Sequence, residues 1–153
     1  MQLYTIGFAG KSAEQFFSLL HAARVERLID VRRSNNTLYC GFTRARDLPF
    51  FLARLGPVEY VQESEFAPSL ELLRAYQARL KKSRKDPEAW PEYVERFTKE
   101  LAERPVVELF RRHTAGVSRV ALLCTEPKAE HCHRSLLAEH IQAREAAVEV
   151  IHL

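Results

Sequence analysis

The sequence is poor in the residues that mark special protein classes. It contains three cysteines, five glycines, one methionine and one tryptophan among 153 residues. Three cysteines are too few and too unevenly placed for a disulfide framework, and the low glycine content excludes a collagen-like chain. No apolar run approaches the ~18 residues of a membrane helix. Residues 1–12 lack a basic segment followed by an apolar one, so we expect no signal peptide, a cytoplasmic location, reduced thiols and no membrane partner.

An excess of charge of one sign is also lacking. The 23 Lys and Arg residues face 20 Asp and Glu residues, which leaves a net charge of +3. This small excess permits a nucleic-acid or phosphate partner and does not require one. Seventeen of the basic residues are arginine, whose planar side chain suits carboxylates and phosphates, although a genomic preference for arginine would give the same composition.

Hydrophobic patterning predicts strands that alternate with helices in a single domain over residues 1–153. The predicted strands are residues 2–6, 28–31, 58–61, 119–124 and 147–152. Helices are predicted after a capping box at Ser12, from Asp47 to Gly56, over residues 69–82 and over residues 132–145. One further helix is predicted to start at Asp86, and another is predicted to end at His113. This order indicates an α/β fold, a three-layer sandwich in which a mainly parallel sheet of about five strands carries helices on both faces.

In such a sheet the loops after the first, second and fourth strands meet at one edge, where ligands bind. The first loop begins at Gly7 and places two residues between its glycines, too few for a nucleotide-binding P-loop. A glycine turn before a helix still suits an anion, so Gly7 is a candidate ligand-binding residue. The alternative is a strand-to-helix turn that simply needs glycine.

The second loop follows Asp30 and Arg32, which strand alternation places on the same side. They either converge on a ligand or form a structural clamp that holds the long loop after them. Cys40 and Arg46 in that loop have the spacing of a phosphocysteine phosphatase. However, an irregular segment precedes Cys40, and only a single glycine lies between Cys40 and Arg46. We therefore interpret Cys40 as a plain loop thiol.

The third loop carries most of the reactive residue types, namely Cys124, Glu126, His131, Cys132, His133 and Arg134. Cys132 is predicted at the first turn of a helix, where unpaired N–H groups lower the pKa of a thiol. The flanking histidines are candidates for proton transfer near neutral pH, and Glu126 is a candidate general acid or base. Arg134 is a candidate for holding an anionic group.

Three other interpretations of this loop remain open. In a zinc site, the spacing of Cys124 and Cys132 would be unusually long and the consecutive residues 131–133 would point in diverging directions, so we expect no metal and no cofactor. In a structural interpretation, Cys124 is buried and Glu126 pairs with Arg134. In a redox switch, Cys124 and Cys132 form a disulfide.

Four short blocks of the sequence resemble the DUF 488 family, a family of domains of unknown function. They are residues 4–7 (YTIG), 28–32 (LIDVR), 123–126 (LCTE) and 131–134 (HCHR). The chain resembles a compact subgroup in which the Asp-Val-Arg strand precedes an Asn-Asn segment, here residues 35–36, leading to Gly41 and Phe42. The resemblance implies a cytosolic, mostly prokaryotic α/β domain with no established reaction. It also implies that six residues form one cluster, namely Asp30, Arg32, Glu126, Cys132, His133 and Arg134. Cys40 lies outside this cluster.

The resulting hypothesis is a pocket for an anionic ligand, such as a nucleotide or nucleic-acid fragment, with thiol-dependent chemistry. The predicted catalytic residues are Cys132, Glu126 and His133. The predicted ligand-binding residues are Gly7, Asp30, Arg32, Cys124 and Arg134. The alternatives are a non-catalytic nucleic-acid or protein-binding module and a thiol redox switch.

Overall fold

The computed structural model describes residues 1–37 and 40–153, and the five predicted strands lie within them as one all-parallel sheet. The strands are β1 (Gln2–Gly7), β2 (Arg27–Asp30), β3 (Glu59–Gln62), β4 (Arg119–Cys124) and β5 (Glu149–His152). Their order across the sheet is β3-β2-β4-β1-β5. The bounds of β4 are those predicted, whereas each of the other strands differs from its prediction by one or two residues.

Six α-helices connect the strands in the described part of the chain. They are α1 (Ala13–Ala22), α2 (Leu48–Leu55), α3 (Leu70–Lys82), α4 (Ala89–Glu103), α5 (Val106–Thr114) and α6 (His133–Gln142). The predicted capping box is confirmed, because the Ser12 side chain accepts from the Gln15 backbone and the Gln15 side chain accepts from Ser12. The predicted end of α2 at Gly56 is also confirmed.

The predicted helix start at Asp47 is confirmed in position, since Asp47 lies at the N-cap of α2, but its carboxylate accepts from Arg46 and not from the helix backbone. The predicted cap at Asp86 is wrong, because the N-cap of α4 is Glu88. Asp86 accepts from the N–H of Glu88, and this local turn delays the start of α4 to Ala89. The predicted last helix is shorter at both ends, since Cys132 lies at its N-cap and Ala143 at its C-cap.

The sheet lies between two helical layers, which confirms the predicted three-layer α/β architecture. Helices α1 and α2 pack on one face through Phe16, Leu20, Leu48 and Leu52. Helices α3 to α6 pack on the other face through residues that include Leu72, Phe97, Phe110, Leu137 and Ile141. We call these the α1/α2 face and the α3–α6 face. None of the helices in the described ranges combines the length and the apolar composition that crossing a membrane would require.

The topology brings the ends of β2 and β4 together at the carboxyl edge of the sheet. Strands β2 and β4 are neighbours, with Asp30 opposite Leu123. The chain leaving β2 continues to α2 on one face, and the chain leaving β4 continues to α6 on the other. Ligands of open parallel sheets bind where neighbouring strands diverge in this way. The ends of β2 and β4 are therefore the place to look for a site.

Gly7, at the end of β1, leaves no room for a side chain. A Cβ atom there would lie 1.6 Å from the carbonyl oxygen of Glu126 and 3.1 Å from Nη1 of Arg134. The loop after β4 therefore passes directly over the backbone of β1. Glycine is required here by this close approach.

We expect Gly7→Ala to destabilise the fold by about 1–3 kcal/mol, because the loop after β4 would have to move. The measurement is the Tm of thermal unfolding, which falls by about 2–4 °C for each kcal/mol in a chain of this size. Gly41→Ala is the matched control, since nothing lies within 4 Å of a Cβ atom at that position. Equal Tm values for the two variants would contradict the close approach.

Candidate functional site

The candidate residues fall into two groups on opposite faces of the sheet edge. The guanidinium of Arg32 lies 5.1 Å from the centre of the Phe8 ring, which belongs to the core of the α1/α2 face. Cys124 and Cys132 belong to the core of the α3–α6 face. The separation follows from strand alternation, because side chains that follow one another along a strand point to opposite faces.

Asp30 and Arg32 form a buried clamp on the α1/α2 face. Nε and Nη2 of Arg32 donate to the two carboxylate oxygens of Asp30, at 2.8 Å and 2.7 Å. Nη2 also donates to the carbonyl of Thr43, at 2.7 Å, and so holds the long loop that follows β2. Both side chains are almost fully buried. A bidentate pair compensates both charges, and this is the structural clamp considered in the sequence analysis.

Tyr60 on β3 completes this clamp. Its hydroxyl donates to Asp30 at 2.8 Å and accepts from Asn35 at 3.2 Å. Burial, followed by the negative charge of Asp30, raises the pKa of Tyr60 to about 12. The sequence analysis did not find this residue, because only the register of β3 beside β2 brings it to Asp30.

Arg134 is the second buried arginine, with 1% of its surface exposed. Its Nη1 donates to the carbonyl of Glu126 at 2.6 Å and to the sulfur of Cys132 at 3.2 Å. Further donors reach the Pro127 carbonyl and the Thr5 hydroxyl. No carboxylate in the described part of the chain forms an ion pair with it. The ion pair of Arg134 with Glu126 that the structural interpretation expected is therefore wrong, because Arg134 binds the backbone carbonyl of Glu126 and the Glu126 side chain is exposed.

Cys124, Cys132 and His133 come together on the α3–α6 face, and we call them the thiol centre. Their sulfur and ring nitrogen atoms all lie within 4.8 Å of one another. Nδ1 of His133 lies 3.6 Å from the sulfur of Cys124. Nε2 lies 3.1 Å from the carbonyl of Val31, which can only accept, so Nε2 donates there and Nδ1 is the ring nitrogen that faces the sulfur of Cys124.

The two thiols of the centre differ in acidity. A hydrogen bond from Cys132 lowers the pKa of Cys124, and the backbone N–H groups of Glu126 and Thr125 lower it further against the effect of burial. The hydrogen bond with Cys124, followed by burial, raises the pKa of Cys132. The expected low pKa of Cys132 is therefore wrong. Cys132 does lie at the start of α6, but its buried thiol points inward, towards Cys124 and His133.

The remaining candidates lie outside the thiol centre. His131 is exposed, and its ring lies 4.9 Å from that of Trp90. Burial raises the pKa of Cys40, and the side chain of Arg46 is 78% exposed, which agrees with a plain loop thiol. The exposed carboxylate of Glu126 is not part of the thiol centre, and its role in proton transfer stays a prediction.

Three residues near the thiol centre were missed as parts of a site. Tyr93 and Phe97 are buried core residues of α4, and the Phe97 ring packs perpendicular to the His133 ring, with 6.1 Å between the ring centres. Lys11 donates to the carbonyl of Gly7 at 2.9 Å. Its pKa is lowered by burial and then by the charge of Arg134, so the two cations are close together. A lysine directly before a helix cap was the available signal.

The family comparison agrees with the sequence blocks. A family model described as "Domain of unknown function DUF488" matches residues 12–141, most of the chain. The chain therefore belongs to the DUF488 family. The matched segment contains both the clamp and the thiol centre. Comparison with the curated proteins gives no match, and comparison with the solved structures gives none.

The raised pKa of Tyr60 predicts a specific loss of stability in alkali. Unfolded tyrosine ionises near its ordinary pKa of 10.0, whereas folded Tyr60 keeps its proton to about 12. The stabilisation is therefore complete below pH 10 and is lost as the pH rises towards 12. The measurement is the urea midpoint against pH. Tyr60→Phe should show a smaller alkaline decline than the unchanged chain, with Tyr4→Phe as the control. Identical declines for the unchanged chain and Tyr60→Phe would contradict the prediction.

Proposed function

We propose that the chain uses the sulfur of Cys124, as a thiolate, to react with a small anionic ligand at the carboxyl edge of the sheet. The observation that carries this proposal is the contact between the buried guanidinium of Arg134 and the sulfur of Cys132. The proposal keeps the thiol-dependent chemistry inferred from the sequence. It moves the reactive atom from Cys132 to Cys124.

The charge of Arg134 supports a thiolate. A buried cation without a negative partner costs several kcal/mol, and the groups that Arg134 contacts are carbonyls, a hydroxyl and a sulfur. Among these groups, only the thiol can become an anion. A negative charge shared by the hydrogen-bonded pair of Cys124 and Cys132 therefore compensates the guanidinium.

The neighbours of Cys124 support its role as the nucleophile. The neighbouring thiol of Cys132, followed by the backbone N–H groups after β4, lowers the pKa of Cys124, so a negative charge is stabilised there. When the thiolate forms, the proton of Cys124 passes to Nδ1 of His133, which lies 3.6 Å from the sulfur. When the sulfur then bonds to the ligand, the protonated ring gives this proton to the group that leaves the ligand. Cys132 is then a positioning residue that acts through Cys124.

Two adjacent cations support an anionic ligand. Lys11 and Arg134 lie close together beside the ends of β1 and β4, and the Lys11 ammonium donates to the carbonyl of Gly7 and forms no ion pair with any residue that the structure describes. A carboxylate or the phosphate of a nucleotide would complement this charge. Many surface arginines are instead paired with acidic side chains, which argues against an open nucleic-acid surface. Examples are Arg79, Arg96, Arg104, Arg111 and Arg112.

Two alkylating reagents that differ in charge test the proposal. With Cys40→Ser as the background, we expect iodoacetate to alkylate Cys124 faster than iodoacetamide does, after each rate is divided by the rate with free cysteine. The expected preference is about tenfold, because a local positive potential concentrates the anion. Mass spectrometry identifies the modified residue. Lys11→Met should remove most of the preference.

Lys128→Met is the matched control, since it removes a lysine from the neighbouring loop without changing Lys11. The proposal fails if the two reagents show no preference, if Cys132 is the modified residue, or if neither thiol reacts in the folded chain. A thiolate absorbance at neutral pH that disappears in Cys124→Ser gives a second measurement, because it does not depend on reagent access.

A dithiol redox function is the second candidate, favoured by the closeness of two buried sulfur atoms, those of Cys124 and Cys132, which lie within 4.8 Å of each other. Both are free thiols in this structure. A peroxide would take two electrons and two protons from the pair to form one disulfide and two molecules of water.

The test is a count of free thiols in the Cys40→Ser chain before and after mild treatment with hydrogen peroxide. A redox pair predicts the loss of both thiols and their return with a dithiol reductant. Cys132→Ser is the control, because it cannot form the disulfide. An unchanged count would remove this candidate.

A further inference from the structure

The thiol centre has the composition of a metal site. We propose that Cys124, Cys132 and His133 bind one zinc ion through two sulfur atoms and one imidazole nitrogen. The inference deepens the proposed function, because it names a cofactor for the same sulfur atoms. The fourth position of a tetrahedral ion would be open to water or to the anionic ligand.

The separations of the donor atoms fit such an ion. Zinc binds sulfur at about 2.3 Å and nitrogen at about 2.0 Å, so tetrahedral ligands lie about 3.5 Å (sulfur to nitrogen) and about 3.8 Å (sulfur to sulfur) apart. The sulfur of Cys124 lies 3.6 Å from Nδ1 of His133. All three donor atoms lie within 4.8 Å of one another. Small side-chain rotations would therefore complete the coordination.

The surroundings of His133 match those of a metal-binding histidine. Such a ring usually donates its other N–H to a carbonyl or a carboxylate, which fixes the tautomer. Nε2 of His133 is bound in this way to the carbonyl of Val31, at 3.1 Å. Nδ1 therefore offers its lone pair on the side of Cys124. The edge contact with Phe97 also holds the ring.

The surroundings of the two sulfur atoms also match those of metal ligands. Arg134 donates to the sulfur of Cys132 at 3.2 Å, and an N–H donor of this kind stabilises a metal-bound thiolate. Cys124 and Cys132 are only 3% and 2% exposed. Two sulfurs and one imidazole favour zinc over magnesium or calcium, which prefer oxygen ligands.

The long spacing between the cysteines is explained by the fold. Cys124 ends β4, and Cys132 lies at the N-cap of α6, so the intervening loop returns the chain to the end of the strand. The expected divergence of residues 131–133 applies to His131 alone. That residue has a φ of 58° and turns outward, while Cys132 and His133 turn inward.

The test measures the binding of zinc, and of cobalt as its spectroscopic substitute, to the full chain after treatment with a chelator. We expect one ion per chain, with the cobalt absorption bands of tetrahedral coordination and sulfur-to-metal charge transfer. Cys132→Ser and His133→Gln should each weaken binding by about a hundredfold or more. Their matched controls, Cys40→Ser and His131→Gln, should bind as the unchanged chain does.

The inference is overturned if no ion binds, if either ligand variant binds as tightly as the unchanged chain, or if binding depends on His131 or Cys40. Circular dichroism of both ligand variants shows that lost binding is not lost folding. The alkylation experiment, performed on the metal-free chain, separates the two proposals. A preference for iodoacetate without metal binding would leave the proposed function standing, and metal binding without that preference would leave this inference standing.

Discussion

The buried guanidinium of Arg134 is the interaction on which the carboxyl edge of the sheet depends. It joins the first turn of α6 to the loop after β4 and to Thr5 on β1. A guanidinium buried in this way must keep its donors satisfied, and this fixes the path of the loop. The loop in turn presses on Gly7, where a Cβ atom has no room. Gly7 in β1 and Arg134 in α6 are therefore both required by the same feature, the path of the loop after β4.

The pleat of the sheet decides which candidate residues can act together. Asp30 and Arg32 share the α1/α2 face, whereas Cys124 shares the opposite face with the residues of α6. The backbone of β2 still connects the two groups, because the Val31 carbonyl binds the ring of His133. The clamp and the thiol centre therefore both depend on the position of β2. The clamp of Asp30 and Arg32 holds the loop after β2 through the carbonyl of Thr43.

The sequence was sufficient to predict the order of strands and helices, because buried parallel strands are apolar runs and several helices carry clear caps such as Ser12. It was also sufficient to predict that Cys124, Cys132 and His133 lie at the carboxyl edge of the sheet. It could not predict that the thiol of Cys132 points inward towards Cys124, since that depends on side-chain directions across a loop of seven residues. The same limit applies to Asp47 and Asp86, whose carboxylates have local donors that compete with the helix start.

The contrast between the two buried arginines argues that the sulfurs of the thiol centre do more than stabilise the fold. Arg32 is held by a carboxylate, the strongest and most durable partner for a guanidinium. Arg134 is held by carbonyls, a hydroxyl and a thiol, a partner that carries charge only after losing a proton. A structure that needed only charge compensation would be served better by a second Asp–Arg pair. A thiol at this position instead supplies what a carboxylate lacks, a soft atom that can bond to a ligand or to a metal ion.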